Sequence, residues 1–248
     1  MAIDRLCLLL GRSFLRPWLR EALLRVERET DATVSLIVRT DTDGTTPAEP
    51  LDHPFDADVR HVRTFPVDDG PGVELPSSAV ETIAAEADVA VQNGVGILSG
   101  DVLTEPEHGV LSYHHGDIRR YRGVVTHFWN YLNGDDTAGV TLLQLSEQLD
   151  AGGIAAEADV DLSGCHRWSE VEARKQIAGI PLLRRAVENF DDPTFTPETV
   201  PPEELGRMYY SSDVTLPVIG RYLVLESART AHDTVTNLRY LLSIYRNN

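Results

Sequence analysis

Apolar residues in this chain come first as short unbroken runs. Residues 5–10 (RLCLLL) and 33–38 (TVSLIV) lack the alternation of a half-solvated strand, so each predicts a strand buried on both faces. Between them, residues 14–30 change to helical spacing. Leu15, Leu19, Ala22, Leu23 and Val26 share one side, Arg20, Glu21, Arg25 and Arg28 lie elsewhere, and Pro17 suits the first turn. Strand, helix and strand in so short a stretch imply a right-handed parallel unit.

The same alternation of period continues. Residues 40–58, rich in Asp, Thr and Pro, read as a surface loop, and 61–65 as a third strand. Residues 77–87 predict a helix with Ser77 or Ser78 as its cap, 88–92 a fourth strand, 98–103 a short helix and 109–113 a fifth strand. A helix over 124–132 follows, then strands over 139–145 and 153–160, and a long helix over 168–190 capped by Ser163 or Ser169 and kinked or broken at Pro181. The expected fold is α/β, a mostly parallel doubly wound sheet over residues 1–190. Residues 191–202 (DDPTFTPETVPP) read as a linker, and 203–248 as a small appendage with a helix near 225–245. The appendage is expected to pack on the main domain or on a second subunit, which would make a homodimer.

Composition narrows the class. The chain has 248 residues and a formal net charge of −17, a field that opposes binding to nucleic acid. Its basic residues are nearly all arginine, Lys175 being the single lysine. Dense carboxylate with scarce lysine fits a surface adapted to high salt; an acidic protein from a GC-rich genome is the other reading. No run approaches the ~20 apolar residues of a membrane span. The N-terminal run is too short and wrongly flanked for a signal peptide, and Cys7 and Cys165 form no disulfide framework, so a cytoplasmic setting is expected.

Two short stretches carry the chemistry. In open parallel sheets, sites gather at the carboxyl ends of strands. Two such ends, Asn93–Gly96 and His114–Asp117, favour a cleft between them. No GxGxxG follows the first strand, so a dinucleotide is not expected. Residues 109–123 read GVLSYHHGDIRRYRG, and residues 148–154 read QLDAGGI. Ser112 and His114, two apart on a strand, point to one side. A histidine titrating near neutrality beside a carboxylate such as Asp150 can handle the proton and developing oxyanion of acyl transfer to nitrogen. His108, His114, His115 and Asp117 do not read as a metal site, because adjacent histidines on a strand face opposite ways.

These pieces resemble the formyltransferases that use 10-formyltetrahydrofolate: Ser112-Tyr113-His114, Tyr121-Arg122-Gly123, Gly139-Val140-Thr141 and Leu149-Asp150-Ala151-Gly152, in the family's order and spacing over about residues 5–190. The resemblance implies that His114 polarises the formyl oxygen and that Asp150 orients it and accepts a proton. It implies a folate pocket along Asn93, Gly94, Val95, Gly96, Ile97 and Leu98, with Gln148 and Leu149 on the opposite wall. It also implies a small-molecule amine as acceptor, of which an amino-sugar nucleotide is one kind, touched by His115, Asp117 and Arg122.

The chain departs from the family at Ser112, where the pattern has Asn, and in the His115-Gly116-Asp117-Ile118-Arg119 segment. Simpler readings stand beside these roles: His115 packs, Asn93 is a turn residue in the left-handed region, and Arg119, Arg120 and Arg122 form a solvated basic turn rather than a phosphate site. A hydrolase that passes the formyl group to water, and a folate-binding protein that has lost turnover, are the alternative functions.

Overall fold

The computed structural model describes residues 2–41, 50–68 and 70–228. In chain order the elements are β1 (Arg5–Leu10), α1 (Pro17–Glu29), β2 (Thr33–Asp41), β3 (Asp58–Arg63), β4 (Phe65–Pro66), β5 (Gly72–Glu74), α2 (Ser77–Glu86), β6 (Val89–Asn93), β7 (Ile97–Leu98), β8 (Val110–His114), β9 (Tyr121–Gly123), α3 (Thr126–Asn133), β10 (Thr137–Gln144), β11 (Gly153–Asp161), α4 (Trp168–Gly179), α5 (Leu182–Asp191) and β12 (Arg207–Tyr209). Residues 216–228 are helical. The rest of the helix expected near 225–245, and most of the 40–58 loop, lie outside the described residues.

Seven strands form the main sheet in the order β11-β10-β8-β6-β1-β2-β3. β8, β6, β1, β2 and β3 run parallel, β10 is antiparallel to β8, and β11 closes the edge as β10's antiparallel partner. The mostly parallel, doubly wound α/β architecture is therefore present. Its two faces bury separate cores. One packs Leu6, Leu8, Leu19, Leu23, Leu111, Leu183 and Val187 under α1, α4 and α5; the other packs Cys7, Leu9, Val80, Ile83 and Leu98 under α2. Alternate residues of β1 serve opposite cores, which explains its unbroken apolar run. Removing the side chain of Leu23, fully buried, costs about 2–5 kcal/mol.

Several local expectations need correcting. Neither Ser77 nor Ser78 caps α2; Pro76 holds that position. The break expected at Pro181 is present: the residue has no N–H to continue the ladder, and α5 starts after it. The start of α4 is secured by neither Ser163 nor Ser169: Glu170 reaches back to accept the Arg167 and His166 N–H groups at 3.0 and 2.6 Å. Residues 97–98 are a strand, and only Asp101–Leu103 form a 3-10 turn. α3 begins after Val125, which is left-handed at φ 49°, because Val124 is still engaged with the C-terminal segment.

Residues 191–202 lie against the sheet edge. Ile154 and Glu198 exchange backbone hydrogen bonds, and Val200 is buried. Further on, β12 pairs in parallel with β9 as a separate two-stranded sheet. No helix among the described residues is long and apolar enough to cross a membrane.

Candidate active site

The carboxyl ends of β6 and β8 open into two cavities rather than one cleft. The first, of about 380 Å³, has apolar walls from Ile97, Leu98, Val124, Leu145 and Leu149, with Gln92, Ser112 and Asp150 as polar groups. The second, of about 190 Å³, lies among Arg12, Arg16, Trp18, Asn93, His115 and Lys175. The pleat of β8 and the reversal after it explain the split. Tyr113 packs with the α1 core and stacks near His115, while Ser112 turns to the first cavity.

Ser112 and Gln92 are register partners on adjacent strands. The Gln92 amide donates to the Ser112 oxygen at 2.6 Å, so the serine proton remains free to donate. Gln92 was not singled out from the sequence; its place at the end of the strand beside the motif strand is the signal that could have found it.

His114 is 7% exposed. Its Nε2 lies 2.8 Å from the Tyr121 carbonyl oxygen. A carbonyl can only accept, so Nε2 carries the proton and Nδ1 of the neutral ring keeps a lone pair. That Nδ1 lies 3.6 Å from Asp150 Oδ1. Asp150, left-handed at φ 46°, holds its other oxygen 2.7 Å from the Gly123 N–H, which donates to it. Two glycines make this possible. A Cβ on Gly116 would sit 2.6 Å from His114 Nε2, and one on Gly152 would sit 2.0 Å from the Gln144 carbonyl oxygen. Glu147 accepts the Gly100 N–H at 2.9 Å and ties the 145–150 loop to the far rim.

Ser112 and Asp150 line the first cavity with Gly96, Ile97, Leu98, Gln148 and Leu149, and His114 stands beside Asp150. It does not bring Asn93, Gly94 and Val95 there. Asn93 lines the second cavity, Gly94 packs on Arg12, and Val95 is buried in the α2 core. The left-handed residues of that turn are Gly94 and Gly96, not Asn93. Asp117 instead caps its own turn by accepting the Arg119 N–H. The three arginines of the motif are engaged: Arg119 with Glu157 and Glu198, Arg120 with Asp135, and Arg122 with the Gly206 carbonyl. The carboxylates beside Arg119 hold its pKa above the ordinary value.

The second cavity contains groups the sequence did not bring forward. Lys175 is fully buried; its ammonium donates to Asn130 Oδ1 at 2.6 Å and Thr126 Oγ1 at 3.2 Å. Thr126 in turn donates to the His115 carbonyl. Burial pushes the lysine pKa down to about 7, although the Asp135 charge pulls the other way. Burial also lowers the His115 pKa to about 3, aided by the Lys175 charge, so the ring is neutral at pH 7. Trp18 Nε1, Asn93 Oδ1 and His115 Nδ1 are buried without a hydrogen-bond partner among the described residues. Glu172 is the carboxylate of this cavity, 4.0 Å from His127 Nε2. Among the described residues no group of three or more His, Cys, Asp or Glu is placed to hold a metal ion.

Residues 74–187, which contain β6, β8 and both site loops, match the family model described as "Formyl transferase". A curated relative, methionyl-tRNA formyltransferase of Bacillus subtilis (strain 168), is 26% identical over 127 residues, covering 51% of this chain and 40% of the relative. The chain thus spans well under half of that relative's length. Among solved structures, a sugar N-formyltransferase from Shewanella sp. superposes with a TM-score of 0.59 at 13% identity, covering 85% of this chain and 78% of the other. A formyltetrahydrofolate deformylase from Pseudomonas syringae pv. tomato gives 0.57 at 20% identity, covering 75% and 61%. Over residues 74–187 the chain is thus similar to the formyl transferases, and its fold is similar to theirs over a longer stretch.

Proposed function

We propose that the protein transfers a formyl group from 10-formyltetrahydrofolate to the primary amine of a small molecule that carries an anionic group. The placing of Ser112 and Asp150 in the lining of an apolar-walled cavity, with His114 3.6 Å from Asp150, carries this reading. The first cavity suits a flat ring system with polar edges. Ile97, Leu98, Val124, Leu145 and Leu149 would cover its faces, and Gln92 Oε1 is buried without a partner among the described residues. When bound, the folate supplies the formyl carbon.

The chain's own groups divide the remaining work. The Ser112 hydroxyl, polarised by Gln92, donates to the formyl oxygen as negative charge builds on it. His114 has committed Nε2 to Tyr121, so Nδ1 is the nitrogen that takes a proton from the attacking amine. Asp150 steadies the imidazolium, which gives that proton to the folate nitrogen as its bond to the formyl carbon breaks and tetrahydrofolate leaves. This moves the polarising role from His114, where the resemblance implied it, toward Ser112.

The second cavity supports the anionic acceptor. Its lining holds two arginines and a buried ammonium against one carboxylate, in a chain of net charge −17. An amino-sugar nucleotide is one molecule of that kind.

The test is release of tetrahydrofolate from 10-formyltetrahydrofolate in molar salt, by wild type and His114→Ala. It is run without amine, then with amino-sugar nucleotides, phosphorylated amines and amino acids. Amine-dependent release abolished by the substitution is the expected result. Equal release without amine would make the protein a hydrolase, a reaction the deformylase fold accommodates. No release in any arm, with folate still bound, would leave a binding protein.

A further inference from the structure

Both His114 and Asp150 depend on one three-residue strand. The Tyr121 carbonyl fixes the histidine at 2.8 Å, and the Gly123 N–H fixes the aspartate at 2.7 Å. Yet β9, which supplies both groups, is no part of the main sheet. Its strand partner is β12, in register Tyr121 with Arg207, Arg122 with Met208 and Gly123 with Tyr209.

The contact is close and repeated. The Val124 N–H donates to the Tyr209 carbonyl at 3.0 Å, Arg122 Nε donates to the Gly206 carbonyl at 2.9 Å, and the Gly206 N–H donates to the Ile118 carbonyl at 2.8 Å. A Cβ on Gly123 would stand 2.0 Å from the Tyr209 oxygen. The Tyr209 ring stacks on Trp129 at 4.5 Å and on Tyr121 at 5.7 Å, and the Arg207 guanidinium lies 4.6 Å from its centroid. Asp213 closes the turn behind it by accepting the Tyr210 N–H and pairing with Arg207. Segment 206–213 lies outside the residues that match the family model.

We infer that Tyr209 is a positioning residue: its stacked ring presses β9 into the place from which Tyr121 and Gly123 hold the His114–Asp150 pair. Tyr209 touches neither cavity; it acts through the backbone of β9. The inference rests on the proposed reaction for its kinetic reading, but its structural reading is independent of turnover.

The experiment uses the full chain with 15N-labelled histidine, comparing wild type, Tyr209→Ala and Tyr209→Phe. The His114 signals are assigned by their loss in His114→Gln. Long-range proton–nitrogen spectra report which ring nitrogen carries the proton. Wild type is expected to show the Nε2–H form. Tyr209→Ala is expected to lose that fixed form and to lower kcat by ~10–100-fold, as a small misplacement of reacting groups does. KM for the formyl donor should stay within about threefold. Tyr209→Phe, which keeps the ring, should restore both readouts. If Tyr209→Ala does not fold, Tyr209→Leu keeps the apolar volume without the ring and takes its place.

An alanine or leucine variant with the wild-type His114 spectrum would overturn the inference, and so would a phenylalanine variant that fails to rescue. A wild type that transfers no formyl group would instead sink the proposed reaction, with the spectra still deciding the positioning.

Discussion

The two cavities at the end of the sheet are built on opposite plans. The first is walled by aliphatic side chains, and its reacting groups are held in place by a backbone carbonyl for His114, a backbone amide for Asp150 and the Gln92 side-chain amide for Ser112. The second is half the volume, with a buried ammonium and several polar atoms that find no partner among the described residues. The paired groups Ser112, His114 and Asp150 have fixed geometry; the unpaired atoms, Gln92 Oε1 in the first cavity and several in the second, are completed by what binds. The contrast matches chemistry on one side and recognition on the other.

The contrast breaks most sharply at Asp150. Asp150→Asn should lower turnover by about 10²–10⁴-fold while donor binding persists, because the imidazolium loses its counter-charge; single-turnover kinetics with a folate-binding titration check this. Gly116→Ala should come next, about 10²-fold in kcat, since the new methyl would occupy the space between His114 and the Tyr121 carbonyl. Ser112→Ala should cost about 10-fold or more through loss of one oxyanion donor. Ser112→Asn tells whether serine belongs to this chemistry: a gain in rate would mark a weakened site, a loss a retuned one.

The second cavity answers to pH. The folded Lys175 pKa lies near 7, below its ordinary 10.5. Between those values the unfolded chain binds more protons, so stability rises as pH goes from about 7 to about 10.5. Lys175→Met should flatten that rise by a few kcal/mol at most and weaken an anionic acceptor without changing donor affinity; denaturant titrations across pH measure the first effect. His115 behaves alike in acid. Its folded pKa of about 3 lies below the ordinary 6.5, so its contribution is whole above 6.5 and is lost as pH falls toward 3. His115→Phe should shift the acid midpoint downward. The smallest effect is expected at Leu149, 40% exposed on the rim: Leu149→Ser should raise donor KM a few-fold with kcat unchanged.

The same contrast decides what the sequence could reveal. The first cavity is made of short contiguous stretches, so the Ser-x-His and Leu-Asp-x-Gly pieces announce it, and apolar runs announce the strands that carry it. The second gathers Arg12, Asn93, His115 and Lys175 from four distant places; Asn93 and His115 stand in the motif stretches, but nothing in the local pattern joins Arg12 and Lys175 to them. Lys175 sits in a helix whose neighbours are charged, and nothing in its spacing marks it as buried. The short strands β4, β5 and β9 are equally hidden, because two or three residues cannot establish a period. The arginines of the motif looked available because sequence shows charges but not their partners.

The order of the main sheet has a consequence in time. Of the strands in the main sheet β1 is made before the others and lies near the middle, and its neighbour β2 follows at once, while β10 and β11 join at one edge much later. Synthesis proceeds at roughly 5–20 residues per second from the N-terminus, so a scaffold can condense before the histidine and aspartate meet. Tyr209 emerges later still. If it locks β9 as inferred, a chain on the ribosome that has not yet reached segment 206–213 has a framework but no working centre, and the formyl donor is safe from it until that segment has been made.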